Sequence, residues 1–530
     1  MTSSIKLHLL QANIILILLM IILSSCKIKK TIPTDVEITL EKLPTKERQK
    51  FEKIINYFRD KEDTLKLNAS FFLISNIHNA KSVYYDSSNY SWNSIPDTWS
   101  INEKYFINNI DNAVEACRGN IESGCLSFKN FCNYILPYRI NFETVESWRE
   151  KIKVKYLDSI KSLNTYPIAS SYDTTICNWF NDHLKKSFKY TSIGDNTDTK
   201  NWTELSNNLK GNCMEMTKSI IFPLRAFGVA ATFDFTPCWG NINGGHAWNV
   251  LIQSCHHPNI PFMGLETNPY NCNPFLLITN KDSSKSTYRI CGKVFRQAFE
   301  INKESLEYLN KGKYSIPTVF QDERILDVTN DYFKTLDVKI KVDQEKVKNE
   351  TFSYLAIFNN GKWVPTAWGI IKTDGYIEFR KIAINLLYLP ILFTNNTIIP
   401  ISFPFVLTDK GSKLINGGQR RADITIKNTQ SKELEQLSEI NKMTDWNSQK
   451  FIKTMNNIVI GKKRSKPIKN KEYKLYFWNN KWKLYKKYVP KKNFIKVKGL
   501  PANSVYRLTS EGSNDYERIF TIEKGCQRWW

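Results

Sequence analysis

A cysteine two residues after a glycine and a histidine directly after one are the residues of this chain best suited to do chemistry. Cys213 lies in Gly211-Asn212-Cys213-Met214-Glu215-Met216-Thr217 and opens an apolar-periodic run. His246 lies in Gly245-His246-Ala247-Trp248, one helix and one strand later. A free thiol has a pKa of about 8.5 and is mostly protonated at neutral pH. A helix N-terminus favours the thiolate through its unpaired amides and dipole, and a histidine in hydrogen-bond reach completes an ion pair. A third group must then orient the ring. Phe262-Met263-Gly264-Leu265-Glu266-Thr267-Asn268-Pro269 offers Glu266 and Asn268, which share strand parity, so either can face the histidine. Glu266 is favoured because Asn268 abuts Pro269. Taken alone, a cysteine on a helix is more often an inert small hydrophobe, so the weight rests on the combination.

The chain has 6 histidines. His8 falls in an N-terminal apolar stretch, His78 in a helical region and His183 on a lysine-rich helix. Cys255-His256-His257 reads as a hairpin tip, too crowded for outward metal ligation and without a fourth ligand. Among the 11 cysteines no Cys-x-x-Cys pair occurs. Neither a metal nor a cofactor is expected, and no spacing dictates a disulfide.

The elements around the pair read as one helix and three strands. Met216, Ile220, Ile221, Leu224 and Phe227 form the helical stripe, with Pro223 a point of kinking and Gly228 the stop. Strands follow over Ala230 to Phe235, His246 to Ile252 and Phe262 to Thr267, an antiparallel meander, with Trp239 to Gly245 a turn. Upstream the pattern is helical. Thr45 caps a helix with Phe51, Ile54, Ile55 and Phe58 on one face. Glu143 to Leu163 is a second helix, and Ile176, Trp179, Phe180, Leu184 and Phe188 mark a third. Ser91 to Ser100 has loop composition. Downstream lie two β modules. Tyr354 to Phe358 and Lys362 to Val364 flank Asn359-Asn360-Gly361, a hairpin signal. Tyr473 to Trp478 and Lys481 to Tyr485 flank Asn479-Asn480 in the same manner. Gln430 to Met455 reads as a helical linker.

The N-terminus carries Lys6, an apolar run from Ile14 to Leu23 and then Ser24-Ser25-Cys26. The run is far short of the about 20 residues that a bilayer span needs, and it suits a signal-peptide core. Leu23-Ser24-Ser25-Cys26 resembles the lipobox of bacterial lipoproteins. That resemblance implies that Cys26 is lipidated and that the mature chain is anchored in the cell envelope. The residue after Cys26 is not Asp, which points to the outer membrane. The net charge of +24 reflects a lysine- and asparagine-rich composition. Its sharper reading is contact with anionic glycan or lipid headgroups. Between 461 and 498 lysines alternate with aromatics; inward rings with outward lysines are the favoured reading. No nucleic-acid partner is expected.

The Gly211-Asn212-Cys213 and Gly245-His246-Ala247-Trp248 motifs, with Leu224-Arg225-Ala226-Phe227-Gly228-Val229 between them, resemble the core of the transglutaminase-like superfamily. The aromatic C-terminal modules and Leu136-Pro137-Tyr138-Arg139 are similar to multidomain envelope lipoproteins of Gram-negative bacteria. The resemblance implies an α+β chain with a papain-like core and a Cys-His-Asp triad. Cys213 is then the nucleophile and His246 the base, with Glu266 where the family has Asp; Trp202 or Trp239 lines the oxyanion region. The implied plan is a signal peptide over 1–26, a tether over 27–44, a helical region over 45–140, the core over 141–290 and a linker over 291–335. A β-sandwich-like module over 336–428, a helical linker over 429–455 and a β module over 456–530 complete it. The expected activity is acyl transfer from amide bonds of a protein or peptide, hydrolysis before cross-linking. The rival expectation is a surface protein that binds glycan or protein and keeps an idle triad.

Overall fold

The computed structural model describes residues 31–86, 88, 90–163, 172–191, 199–253, 257–265, 290–417, 420–429, 466–510 and 517–530. Cys26, Cys255, His256, Glu266, Asn268 and the linker expected over 429–455 lie outside them, the last except for its first residue. The chain is α+β and divides after His78 into two compact units.

Among the described residues the first unit holds three helices, Thr34–Lys42, Thr45–Asp60 and Thr64–Ser75. In the second of these Phe51, Ile54, Ile55 and Phe58 are all buried, as their spacing requires. Thr45 opens that helix but does not cap it; Pro44 occupies the N-cap with φ −56. The first helix falls inside the stretch expected as a tether. Val36 and Leu40 are buried there, and a segment that hides an apolar face is not a free linker.

The second unit starts with a hairpin, Lys81–Asp86 against Ser91–Pro96, followed by a short helix Asp97–Ser100. Both lie where a helical region or a loop was expected. Buried helical faces then build the main core. Trp148, Ile152 and Tyr156 come from Trp148–Leu163, and Ile176, Phe180 and Leu184 come from Tyr172–Leu184. They close around Ile220, Ile221, Phe222 and Leu224 of Cys213–Ala226. Each such side chain contributes roughly 1.5–3 kcal/mol on burial. The helix expected from Glu143 begins instead at Trp148, because Glu143 is itself a buried ion-pair partner.

A five-stranded antiparallel sheet lies against the cysteine helix. Its order is Ile260–Phe262, His246–Leu251, Ala231–Thr236, Phe295–Gln297 and Ile325–Asp327. The meander is present, but its third strand ends at Phe262 instead of beginning there. The stretch expected as a linker over 291–335 supplies the last two strands. Strands of three residues are too short to carry a periodicity.

The next module is an eight-stranded antiparallel sheet. Its central hairpin, Phe352–Asn359 with Lys362–Ile371, turns through Asn360 (φ 46) and Gly361 (φ 76). Two successive positive φ values are what a two-residue hairpin turn needs. In the last module Tyr473–Trp478 pairs with Trp482–Tyr488 as expected. Tyr473 and Trp478 are buried while Lys483, Lys486 and Lys487 are exposed. The module boundary is not clean. Arg421–Ile426 leaves the preceding module and pairs with Ile495–Pro501. No described helix is long and apolar enough to cross a membrane.

Candidate active site

Cys213 is the first residue of its helix, and Asn212 is the N-cap. The Asn212 side-chain oxygen accepts from Met214 N at 2.8 Å, and Glu215 Oε2 accepts from Asn212 N at 2.6 Å. This reciprocal capping box uses two of the helix's orphan amides and sets the entry angle of the chain. Glu215 puts negative charge two residues from the thiol, which by itself opposes a thiolate. Lys200 Nζ answers it at 2.5 Å from Glu215 Oε1. Gly211 is required for room, not for a turn. A Cβ there would lie 2.1 Å from Glu215 Oε2, so any side chain would evict the capping carboxylate.

Cys213 is half-buried and packs against the core that contains Ala247. The helix is fastened to the histidine strand by Asn249, whose Nδ2 donates to Thr217 O at 2.9 Å. Asn249 Oδ1 accepts from Gly264 N at 3.1 Å and so also holds the segment after the third strand. Sequence reasoning missed this residue. The signal was an asparagine among Trp248, Val250 and Leu251 in a strand otherwise apolar.

Pro223 does not stop the cysteine helix, which runs on to Ala226. Lys218, five residues past the thiol, forms a fully buried ion pair with Glu143, Nζ to Oε2 at 2.9 Å. Glu143 also accepts from Ile140 N and Asn141 N. Burial alone pushes the Glu143 carboxyl up. Lys218, Arg139 and the Ile140 amide outweigh burial and hold it below the ordinary value.

His246 is the first residue of its strand and is half-buried. Strand alternation groups it with Trp248, while Ala247, Asn249 and Leu251 meet the helix. Its ring lies 6.0 Å from the Trp239 ring and 6.0 Å from the Trp248 ring. Its Nε2 lies 3.3 Å from Met263 Sδ. Of Trp202 and Trp239, it is therefore Trp239 that lies beside the histidine. Trp202 is a core residue, with its ring 6.1 Å from Phe222.

Behind Trp248 runs a buried polar chain that the sequence reading did not find. Trp248 Nε1 donates to Tyr332 Oη at 3.0 Å, and Tyr332 in turn donates to Asp234 Oδ2. Arg296 clasps Asp234 through Nε at 2.8 Å and Nη2 at 2.9 Å. A two-point guanidinium contact satisfies both oxygens of a carboxylate that is 0% exposed. Burial pushes this carboxyl up, and the Arg296 charge and the hydrogen bonds of Arg296 and Tyr332 oppose it. The visible signal was an aspartate between Phe233 and Phe235.

The structure thus places Cys213 on a capped helix end and His246 at the start of the strand packed beneath that helix. The third sequence candidate, Glu266, lies outside the described residues. Among the described residues no cluster of metal-ligating side chains occurs. Comparison with protein-family models gives no match, and neither does comparison with the curated proteins.

Proposed function

We propose that this chain is a lipid-anchored thiol enzyme of the transglutaminase-like type that acts on amide bonds. The observation that carries the reading is the capped helix start at Cys213, packed on the strand that begins with His246; the reading requires the His246 ring, grouped with Trp248, to reach round the strand's first residue to the thiol. The anchor is Cys26, and the site of action is the cell envelope, with the outer membrane as its address.

The Cys213 thiolate attacks the carbonyl carbon of the scissile amide. The C–N bond breaks, the amine leaves with a proton from the His246 imidazolium, and a thioester remains on the sulphur. Water, deprotonated by His246, then attacks the thioester, releases the acid and restores the thiol. Glu266 serves as the group that orients the ring. Hydrolysis is preferred over transfer to a second amine because no dedicated amine site was found in the sequence. Helix amides stabilise the thiolate, and the Lys200–Glu215 pair removes the nearest opposing charge.

The test is the pH profile of Cys213 alkylation, followed by peptide mass spectrometry so that the exposed Cys125 and Cys526 do not interfere. Lowering a thiol pKa from about 8.5 to about 6 raises the thiolate fraction at pH 6 roughly 150-fold. Reduced nucleophilicity gives back about tenfold of that, so a net acceleration of roughly tenfold is expected. His246→Ala should abolish it. Cys213 reacting no faster than an ordinary cysteine at pH 6 sinks the enzyme reading and leaves the binding protein.

A further inference from the structure

The turn between Trp239 and Gly245 is built by two residues that are far away in sequence. Asn359, at the end of a strand in the eight-stranded module, is 2% exposed and sits inside the turn. Its Nδ2 donates to Trp239 O at 2.8 Å and Ile242 O at 3.0 Å, with Gly244 O at 3.3 Å. Its Oδ1 accepts from Gly244 N at 2.9 Å. One amide thus satisfies four backbone groups of a seven-residue turn, and no other side chain of that size both donates and accepts in this way. The next residue adds a contact, Asn360 N to Asn243 Oδ1 at 3.0 Å.

Arg518, in the last module, grips the same turn from another side. It is 1% exposed. Nη2 donates to Gly240 O at 2.6 Å, Nη1 to Asn243 Oδ1 at 2.9 Å and Nε to Trp530 O at 2.8 Å. The turn has little freedom to take another path. A Cβ on Gly240 would lie 2.1 Å from Leu386 Cδ2, and one on Gly245 would lie 2.6 Å from Pro237 O. The turn is closed on itself by Trp239 N to Gly244 O at 2.9 Å.

Both ends of this turn deliver rings to the candidate site. Trp239 leads in, His246 follows Gly245, and the two rings lie 6.0 Å apart. A shift of the turn therefore moves the base and its aromatic neighbour together. We infer that Asn359 and Arg518 are positioning residues for His246, and that the two C-terminal β modules are structural parts of the catalytic site. The inference rests on the reading of His246 as the base of Cys213.

It also alters what those modules are for. A binding module joined by a linker leaves the chemistry intact when it is removed. A module that supplies the inner hydrogen bonds of the turn before the base does not.

The experiment uses the full chain and follows Cys213 alkylation by iodoacetamide from pH 5 to 9, with near-ultraviolet circular dichroism as the check on folding. Asn359→Asp is isosteric, keeps the acceptor for Gly244 N–H and loses every donor. Asn243→Ala is milder and removes the acceptor shared by Asn360 N and Arg518. Wild type is expected to show the fast arm at pH 6, and His246→Ala to lose it. Asn359→Asp should lose it too, by roughly tenfold at pH 6, and should react about tenfold faster than wild type at pH 9, where both thiols are largely ionised and the less acidic one is the better nucleophile. Asn243→Ala should fall between the two. A purely structural role lowers stability and leaves this profile unmoved. Folded Asn359→Asp with the wild-type profile overturns the inference; should that variant not fold, an unchanged profile in Asn243→Ala overturns it. A wild type without the fast arm refutes the Cys213–His246 reading itself, and the inference with it, which is a different result from a positioning failure.

Discussion

Lys218→Met should weaken the helix that carries Cys213 far more than the loss of one surface charge would. Lys218 and Glu143 are 0% and 2% exposed, and their charged atoms are 2.9 Å apart. Removing one member of such a pair strands a buried charge and costs about 3–5 kcal/mol; replacing both by apolar groups is often close to neutral. Glu143 retains Arg139 nearby and the amides of Ile140 and Asn141. The low end of that range, about 3 kcal/mol, is therefore expected. At about 1.4 kcal/mol per decade this is roughly a 150-fold faster exchange of the slowest amides around Ile220 and Ile221. Glu143→Leu with Lys218→Met should return to within about tenfold of wild type. The pH dependence carries a sign. In the wild type the Glu143 carboxyl is held low, so its contribution is complete above about pH 4.3 and is lost as the pH falls through the folded value. Without Lys218, burial dominates and the carboxyl is pushed up. The penalty is then absent below about pH 4.3 and grows as pH rises through the new folded value. The ratio of variant to wild-type exchange should accordingly be large at pH 7 and shrink toward pH 4. Hydrogen exchange with mass spectrometry reads both. Equal exchange in wild type and Lys218→Met at pH 7, or a double variant no better than the single, refutes the ion-pair argument.

Asn212→Ala removes the N-cap acceptor and should cost about 1 kcal/mol, seen as a lower midpoint in urea, with a slower Cys213 alkylation at pH 6; an unchanged midpoint shows that the cap is not sustaining the helix start. Asp234→Asn breaks the two-point contact and leaves the buried Arg296 charge with only the half-exposed Asp331 carboxylate at 3.4 Å, at a cost of about 3 kcal/mol, the low end of the range for a broken buried pair. Thermal melting reads that loss, and a melting point within a degree of wild type contradicts it.

How much of this could be seen beforehand depended on range. The Cys213 helix and the first two strands of the antiparallel meander are local patterns, and they lie where the spacing puts them. So do the two hairpins, because paired asparagine and glycine turns specify their own geometry. Gly211 is needed for a contact no turn rule encodes: its missing Cβ makes room for Glu215. Ser91 to Pro96 looked like a loop because its composition is polar, yet pairing with Lys81 to Asp86 overrides that preference. Phe295–Gln297 and Ile325–Asp327 are too short to show alternation, so a sheet-forming segment read as a linker. The Glu143–Lys218 pair and the grip of Asn359 and Arg518 join residues 75 to 278 positions apart. Single-sequence periodicity carries nothing over that distance.

The Arg518 grip also has a consequence in time. The turn before His246 waits for a donor 275 residues further along the chain. At about 5–20 residues per second, synthesis of that interval takes roughly 15–55 s. For that period a growing chain already contains Cys213 and His246 but only part of the hydrogen bonding that holds the turn before His246. On the reading proposed above, the site is completed only by the last module to be made.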